Sequence, residues 1–287
     1  EKDANFEVIA WDKDNIDITD EKTSCAKISK LKPEFIINSA AYNNVDEAEK
    51  SQAGFEIAKK INGKAPGYLA KTAKKVGAIF IHYSTDYVFN GEPEIPESQG
   101  CTHNCLSCQL HAEFQQPIGF NEYAKPNPIN NYGKSKLLGE DEVKKNTKKY
   151  YIIRTSRIFG KPALTKDAKK CFFDIILEKV KKEKIIKVID EETSCFTYSL
   201  DLAKKTKEII DAKKDFGIYH VVNSDPCTWY EAVLELNQQA KIKAQVIPVS
   251  ADEFPRPAKR PFYSVLLNTK LNPMRSWKEA LKDFLKN

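Results

Sequence analysis

Short apolar runs alternate with helical patterns through the first two-thirds of the chain, and this alternation constrains the fold most. Phe35–Asn38 and Ala78–Tyr83 are short runs rich in β-branched and aromatic residues, and the helical pattern Pro66–Val76 lies between them. Strand-like runs separated by helical patterns are typical of βαβ units on a parallel sheet. We therefore predict an α/β fold with a doubly wound parallel sheet.

Polar residues follow several of the predicted strands. Asp12 follows the run Val8–Trp11, Thr85 follows the run that ends at Tyr83, and Thr155 follows Tyr151–Arg154. Ligands of a doubly wound sheet bind outside the carboxyl ends of its strands. One crevice is therefore predicted to collect these side chains.

The predicted chemistry comes from a hydroxyl, a phenol and an ammonium. Tyr132 and Lys136 are four residues apart, so on a helix they lie on one face, one turn from each other. A lysine so close is expected to lower the tyrosine pKa from about 10 toward neutrality. Such a phenol exchanges a proton with a developing alkoxide, and Thr85 is positioned to hold the same oxygen. These residues predict a ketone reductase.

Length and composition allow a substantial core. The 287 residues are 41% hydrophobic and 30% charged, an ordinary globular balance. The alternating pattern loosens beyond Gly160. We expect a dinucleotide-binding domain over residues 1–160 and a smaller, mainly substrate-binding α/β lobe over residues 161–287.

Charge and cysteine content limit the function classes. The net charge of +6 comes from scattered lysines without aromatic interleaving, which disfavours nucleic-acid binding and suits an anionic small substrate. The sequence shows neither an apolar run of about 20 residues nor a secretion signal. We expect a cytoplasmic protein with reduced thiols, no membrane partner, and a homodimer as the candidate assembly.

An ordered set of blocks resembles the extended short-chain dehydrogenase/reductase superfamily, and within it the dTDP-4-dehydrorhamnose reductases. The resemblance covers nearly the whole chain. The blocks that carry it are Asp17–Asp20, Asn38–Tyr42, Val45–Glu49, Ser84–Phe89, Pro126–Asn130, Tyr132–Lys136, Arg154–Ser156, Gly217–Asn223, Trp229–Glu231 and Arg256–Ser264.

The resemblance implies a Rossmann-like fold, an NAD(P)H cofactor and a nucleotide-sugar substrate. It implies reduction of the C4 ketone of a nucleotide-linked 4-keto-6-deoxy sugar, with Tyr132 protonating the new alkoxide. The implied catalytic residues are Thr85, Tyr132 and Lys136. The implied cofactor-binding residues are Asp12, Asp17, Ile18, Ala40, Ala41, Asn43, Asn62, Tyr132 and Lys136. The implied substrate-binding residues are Thr85, Asp86, Tyr87, Arg157, Arg256 and Arg260.

Two departures from the family pattern concern the cofactor. The Gly-rich turn that holds the pyrophosphate in the family does not occur in this sequence. We expect an N-terminally truncated fragment; the alternative is weak dinucleotide binding. Asp12 suits a ribose 2′-hydroxyl and Lys13 a 2′-phosphate, so both NADP(H) and NAD(H) stay open, with NADP(H) named first.

A third departure is Arg157, which stands where the related reductases commonly carry Trp. It indicates a different sugar or nucleotide contact, and the alternative is a surface arginine without a role.

A Cys-rich insertion, about residues 92–117, separates Thr85 from Tyr132. Its residues Cys101, Cys105, Cys108 and His111 form a complete tetrahedral ligand set for zinc. The alternatives are free thiols without a metal and an iron–sulfur cluster.

A rival function is a non-catalytic NAD(P)-binding scaffold. The regulatory beta subunit of methionine adenosyltransferase resembles the same family, so the fold also serves partner binding. The absent Gly-rich turn and the insertion favour this rival. The presence of Thr85, Tyr132 and Lys136 favours the reductase, which we take as the main prediction.

Overall fold

The computed structural model describes residues 6–93, 117–161 and 170–286, and the fold is reported for these ranges. Four parallel strands form the main sheet, in the order β1-β2-β3-β8. They are β1 (Phe35–Asn38), β2 (Ile79–Thr85), β3 (Tyr150–Thr155) and β8 (Gly217–His220). The predicted parallel α/β fold is confirmed.

Helices cover both faces of this sheet. One face carries α1 (Glu21–Leu31), α4 (Ala65–Val76) and α5 (Asn131–Asn146), which contribute side chains such as Ile28, Leu69 and Val143 to one core cluster. On the opposite face α7 (Ser199–Asp211) packs through Leu202 and Ile209. The sheet is therefore doubly wound, as predicted.

Local signals set several helix ends. The Asp20 carboxylate caps α1 by accepting from the Thr23 amide at 3.1 Å, and α4 ends at Gly77 with a φ of 82°. Between β1 and α4 the chain forms α2 (Val45–Lys50), α3 (Gln52–Ala58) and a π-helical turn (Lys59–Lys64).

A second core lies in the C-terminal part of the chain and is rich in aromatic side chains. Phe159, Phe173, Phe196, Trp277 and Phe284 pack in it. Its helices are α6 (Phe172–Val180), α8 (Trp229–Ala240) and α9 (Trp277–Lys286). Its short strands are β4 (Ile158–Phe159), β5 (Ile185–Ile189), β6 (Thr193–Ser194), β7 (Thr197–Tyr198), β9 (Cys227–Thr228) and β10 (Gln245–Val249).

Two observations bear on the predicted organisation. Strand β8 is part of the main sheet and α7 packs on that sheet, although both lie beyond residue 160. The boundary between two domains at residue 160 therefore stays a prediction. The run Val8–Trp11 is not a strand, because it pairs with no neighbour in the described part of the chain, and Val8 is 79% exposed. None of the helices in the described ranges is long and apolar enough to span a membrane.

Candidate active site

The helix that carries Tyr132 and Lys136 starts at a point held by distant parts of the chain. The Asn130 side chain caps α5 by accepting from the Gly133 amide at 2.8 Å, and it donates to the Lys259 carbonyl at 2.8 Å. The Asn131 amide donates to the Glu49 carboxylate at 2.8 Å. The first turn of α5 is therefore fixed from both α2 and the C-terminal part of the chain.

Gly133 allows this turn to approach the end of β2. A Cβ at residue 133 would lie 2.1 Å from the Tyr87 carbonyl oxygen, closer than any side chain tolerates. Tyr87 belongs to a single 3₁₀ turn, Asp86–Val88, that directly follows β2. The Tyr87 and Tyr132 rings consequently meet edge to face, with centroids 5.8 Å apart.

The three predicted catalytic residues converge at the carboxyl end of β2. The Thr85 side chain lies beside the Tyr132 phenol and acts to lower its pKa. One turn along α5, the Lys136 ammonium donates to the Tyr83 carbonyl at 2.6 Å. The structure thus places a hydroxyl, a phenol and an ammonium on one side of α5, as their spacing predicted.

The predicted pKa of Tyr132 near neutrality is wrong for this structure. Burial raises the pKa of Tyr132 to about 12, and the Asp86 charge adds to this rise, while the Thr85 hydrogen bond opposes it. Lys136 does not deliver the predicted stabilisation, because its ammonium is directed to the Tyr83 carbonyl. Burial lowers the pKa of Lys136 itself to about 8, against the charge of Glu140.

Asp86, a predicted substrate-binding residue, is buried among hydroxyl groups. Its carboxylate accepts from Ser264 at 2.6 Å, from Thr85 at 3.0 Å and from Ser194 at 3.1 Å. Burial raises the pKa of Asp86, and these hydrogen bonds oppose the rise. Its side chain therefore orients Thr85 from within the protein.

The three predicted substrate-binding arginines already have protein partners. Arg157 donates to the Cys227 and Glu192 carbonyls at 2.9 and 2.7 Å, and its guanidinium lies 3.8 Å from the Trp229 ring centre. Arg256 is paired with the Glu192 carboxylate, and Arg260 with the Asp46 carboxylate at 2.9 Å.

A groove of about 820 Å³ runs along β1 and the segment before α1. Five predicted cofactor residues line it: Asp12, Asp17, Ile18, Ala40 and Ala41. The volume is within the range of small-molecule and cofactor sites, about 300–1,000 Å³. The small, exposed Ala40 and Ala41 leave backbone open to a ligand. The groove is therefore large enough for a cofactor, and its lining also includes apolar side chains such as Ile28, Ile36 and Leu69.

The other predicted cofactor residues lie outside this lining. Asn62 is buried; its amide accepts from the Tyr42 backbone at 2.8 Å and donates to Ser135 at 3.0 Å. It therefore braces the loop after β1 against α5. Asn43 lies in that same loop and is exposed.

Two buried carboxylates near the site were missed in the sequence. Glu140 lies one turn beyond Lys136 on α5, and Glu192 pairs with Arg256. The i, i+4 spacing from Lys136 was a usable signal for Glu140. No sequence spacing relates Glu192 to Arg256, because the fold alone brings them together.

The proposed zinc ligands Cys101, Cys105, Cys108 and His111 lie outside the described residues. In the ranges that are described, no group of three or more His, Cys, Asp or Glu side chains is arranged to hold a metal ion.

The doubly wound sheet, with a tyrosine and a lysine one helical turn apart at the end of a central strand, defines a short-chain dehydrogenase/reductase-like protein. A family model described as the RmlD substrate binding domain matches residues 1–287, and the chain belongs to this family.

The relatives are consistent with this membership. The spore coat polysaccharide biosynthesis protein SpsK of Bacillus subtilis is 31% identical over 99% of this chain and 90% of its own length. A dTDP-4-dehydrorhamnose reductase of Burkholderia thailandensis is 28% identical over 92% of this chain and 84% of its own.

Solved structures agree. The dTDP-4-dehydrorhamnose reductase of Clostridium acetobutylicum superposes with a TM-score of 0.85 at 34% identity, over 99% of this chain and 91% of that one. The enzyme of Bacillus anthracis, in complex with NADP, gives a TM-score of 0.82 at 32% identity, over 96% of this chain and 88% of that one. The prediction of an oxidoreductase of the dTDP-4-dehydrorhamnose reductase-like class is confirmed.

Proposed function

We propose that this chain uses NADPH to reduce the C4 ketone of a nucleotide-linked 4-keto-6-deoxy sugar. The observation that carries the proposal is the convergence of Thr85, Tyr132 and Lys136 at the end of β2. The predicted nucleotide-sugar substrate is supported by the names of the reductase relatives. The NADP complex of the Bacillus anthracis enzyme supports the choice of cofactor.

Each residue has a defined task in this reaction. When bound in the β1 groove, the dinucleotide supplies the hydride that adds to the ketone carbon. Tyr132 gives its phenolic proton to the ketone oxygen, so that the product is an alcohol. Burial raises the pKa of Tyr132, so the phenol is protonated at neutral pH and its proton is present for transfer. Thr85 lies beside the phenol, and Lys136 places a positive charge one helical turn away, with its ammonium on the Tyr83 carbonyl.

The dinucleotide would lie along Asp12, Asp17 and Ile18. It would come closest to the backbone at Ala40 and Ala41, just after β1. We propose that the nucleotide sugar lies on the side of the catalytic trio opposite the dinucleotide, where it faces Arg157, Arg256 and Arg260. A guanidinium is suited to bidentate contact with a diphosphate.

The test is NADPH or NADH oxidation by the full chain with dTDP-4-keto-6-deoxymannose. We expect turnover by the wild type and a loss of about 10²-fold or more in Tyr132→Phe, because the proton donor is removed while the ring remains. Tyr123→Phe is the matched control, since Tyr123 is 77% exposed. If the wild type binds the cofactor but reduces no 4-keto sugar nucleotide, the substrate assignment fails. A stoichiometric protein partner without cofactor oxidation would favour the scaffold function.

A further inference from the structure

A fully buried ion pair lies directly behind the catalytic face of α5. The Glu140 and Arg154 side chains are 0% and 1% exposed. Arg154 donates to both Glu140 oxygens, from Nε at 2.9 Å and from Nη2 at 2.7 Å. The Ser84 hydroxyl adds a third hydrogen bond to Glu140, at 2.6 Å. The carboxylate is therefore held in one orientation.

This pair joins the elements that carry the catalytic trio. Ser84 precedes Thr85 on β2, Arg154 lies on the adjacent strand β3, and Glu140 lies on α5 one turn from Lys136. Residues four apart on a helix are neighbours on its surface. The negative charge of Glu140 is consequently close to the buried Lys136 ammonium, whose charged form it favours.

Among the described residues, the other groups that face Lys136 carry no negative charge, and Arg154, the partner of Glu140, carries a positive one. His82 on β2 stays neutral, because burial and the charge of Lys136 lower its pKa well below the ordinary range. Tyr132 on α5 is a protonated phenol. The Tyr83 backbone carbonyl accepts the ammonium proton but is uncharged. A buried ammonium without an anion would readily lose its proton.

We propose that Glu140 is a positioning residue that keeps the Lys136 side chain as an ammonium behind Tyr132, and that Arg154 and Ser84 hold the Glu140 carboxylate for this task. The proposal rests on the proposed reductase function, in which the charge of Lys136 serves the reaction. Replacing a buried ion pair by apolar side chains is often neutral or stabilising, so the stability of the fold alone does not account for this pair.

The experiment compares Glu140→Gln with the wild type by NMR of ¹⁵N-lysine-labelled protein. The Lys136 Nζ resonance, assigned with Lys136→Arg, is followed as a function of pH. We expect the pH at the midpoint of the Lys136 titration to be about 8 in the wild type and to fall by on the order of one pH unit in the variant. The alkaline limb of NADPH oxidation should move to lower pH with it, since the ammonium is lost earlier.

Asp141→Asn is the matched control, because Asp141 is on the same helix but exposed and paired with Lys144. It should leave the Lys136 midpoint unchanged. If Glu140→Gln does not fold, the double variant Glu140→Gln/Arg154→Met removes both buried charges. The pH at the midpoint of the Lys136 titration should still fall, but by less, because the positive charge of Arg154 is lost as well.

An unchanged Lys136 midpoint in a folded variant would overturn the proposal and leave Glu140 a purely structural role. The NMR titration needs no substrate. A lowered midpoint in a chain that reduces no 4-keto sugar nucleotide would therefore support the Glu140 assignment while the proposed function fails.

Discussion

The Asp86 carboxylate controls the electrostatics of the proposed proton donor. It accepts from the Thr85 hydroxyl at 3.0 Å and so fixes the orientation of the side chain that lies beside the Tyr132 phenol. Its charge also raises the pKa of Tyr132, second only to the effect of burial. The acidity of the phenol therefore depends on a residue that is itself buried.

We predict that Asp86→Asn lowers the pKa of Tyr132. Removing the negative charge makes the phenolate less unfavourable, so the pKa should fall below about 12 by on the order of one unit. The ¹³Cζ shift of Tyr132 in tyrosine-labelled protein measures this as pH is raised.

The exposed Asp252 gives the matched control, Asp252→Asn, which should leave the Tyr132 titration in place. A Tyr132 pKa that stays at the wild-type value in Asp86→Asn would show that burial alone sets it.

Residue spacing in the sequence predicted the shared helix face of Tyr132 and Lys136 but not the protonation of their side chains. Tyr132 and Lys136 could be placed on one helix face because helical periodicity is local. The pKa of Tyr132 depends on burial and on Asp86, and both are products of tertiary packing. The Glu192–Arg256 pair was invisible for the same reason, since 64 residues separate its members.

At the scale of elements, α5 depends on glycine where it meets β2. Alanine normally favours a helix over glycine by about 1 kcal/mol. At residue 133 the added Cβ would lie 2.1 Å from the Tyr87 carbonyl oxygen, so α5 or the Asp86–Val88 turn must shift. Overpacking of this kind costs about 1–3 kcal/mol, which outweighs the helix preference.

We therefore predict that Gly133→Ala destabilises the protein by up to roughly 2 kcal/mol and also reduces turnover, because Tyr132 moves with the first turn of α5. Urea unfolding and NADPH oxidation measure the two effects. Lys134→Ala is the control at the adjacent exposed position and should change neither appreciably. A Gly133→Ala protein as stable and active as the wild type would contradict the close approach.

Element prediction was accurate where local and tertiary preferences agree. The helical pattern Pro66–Val76 is α4, Ala65–Val76, and the helix on which Tyr132 and Lys136 were predicted to share a face is α5, Asn131–Asn146. The run Val8–Trp11 has strand propensity, but that propensity is realised only against a partner strand.

At the scale of the whole molecule, two buried histidines couple stability to pH. His82 and His220 are each 0% exposed. Burial, together with the neighbouring Arg154 charge, lowers the pKa of His220 to about 3. The unfolded chain takes up a proton near the ordinary value of about 6.5, whereas the folded chain does not until far lower pH. Acidification between these values therefore favours unfolding.

We predict that His220→Asn flattens this dependence. At pH 5 the His220 contribution to the loss of unfolding free energy should be about 2 kcal/mol. Urea unfolding of the wild type and the variant at about pH 7 and pH 5 measures how much the unfolding free energy of each protein changes with pH. Parallel pH dependences in the two proteins would show that His220 is protonated in the folded state.

The contacts at the start of α5 also imply an order of folding. Asn130 reaches the Lys259 carbonyl 129 residues along the chain, and Arg260 reaches Asp46 across 214 residues. Contacts at such separations form late, because the entropy of closing long loops has to be overcome first. During synthesis the segment around Lys259 leaves the ribosome long after α5 has been made. Strands β1, β2 and β3 can pair before then, but the proposed proton donor reaches its final position only when the segment around Lys259 arrives.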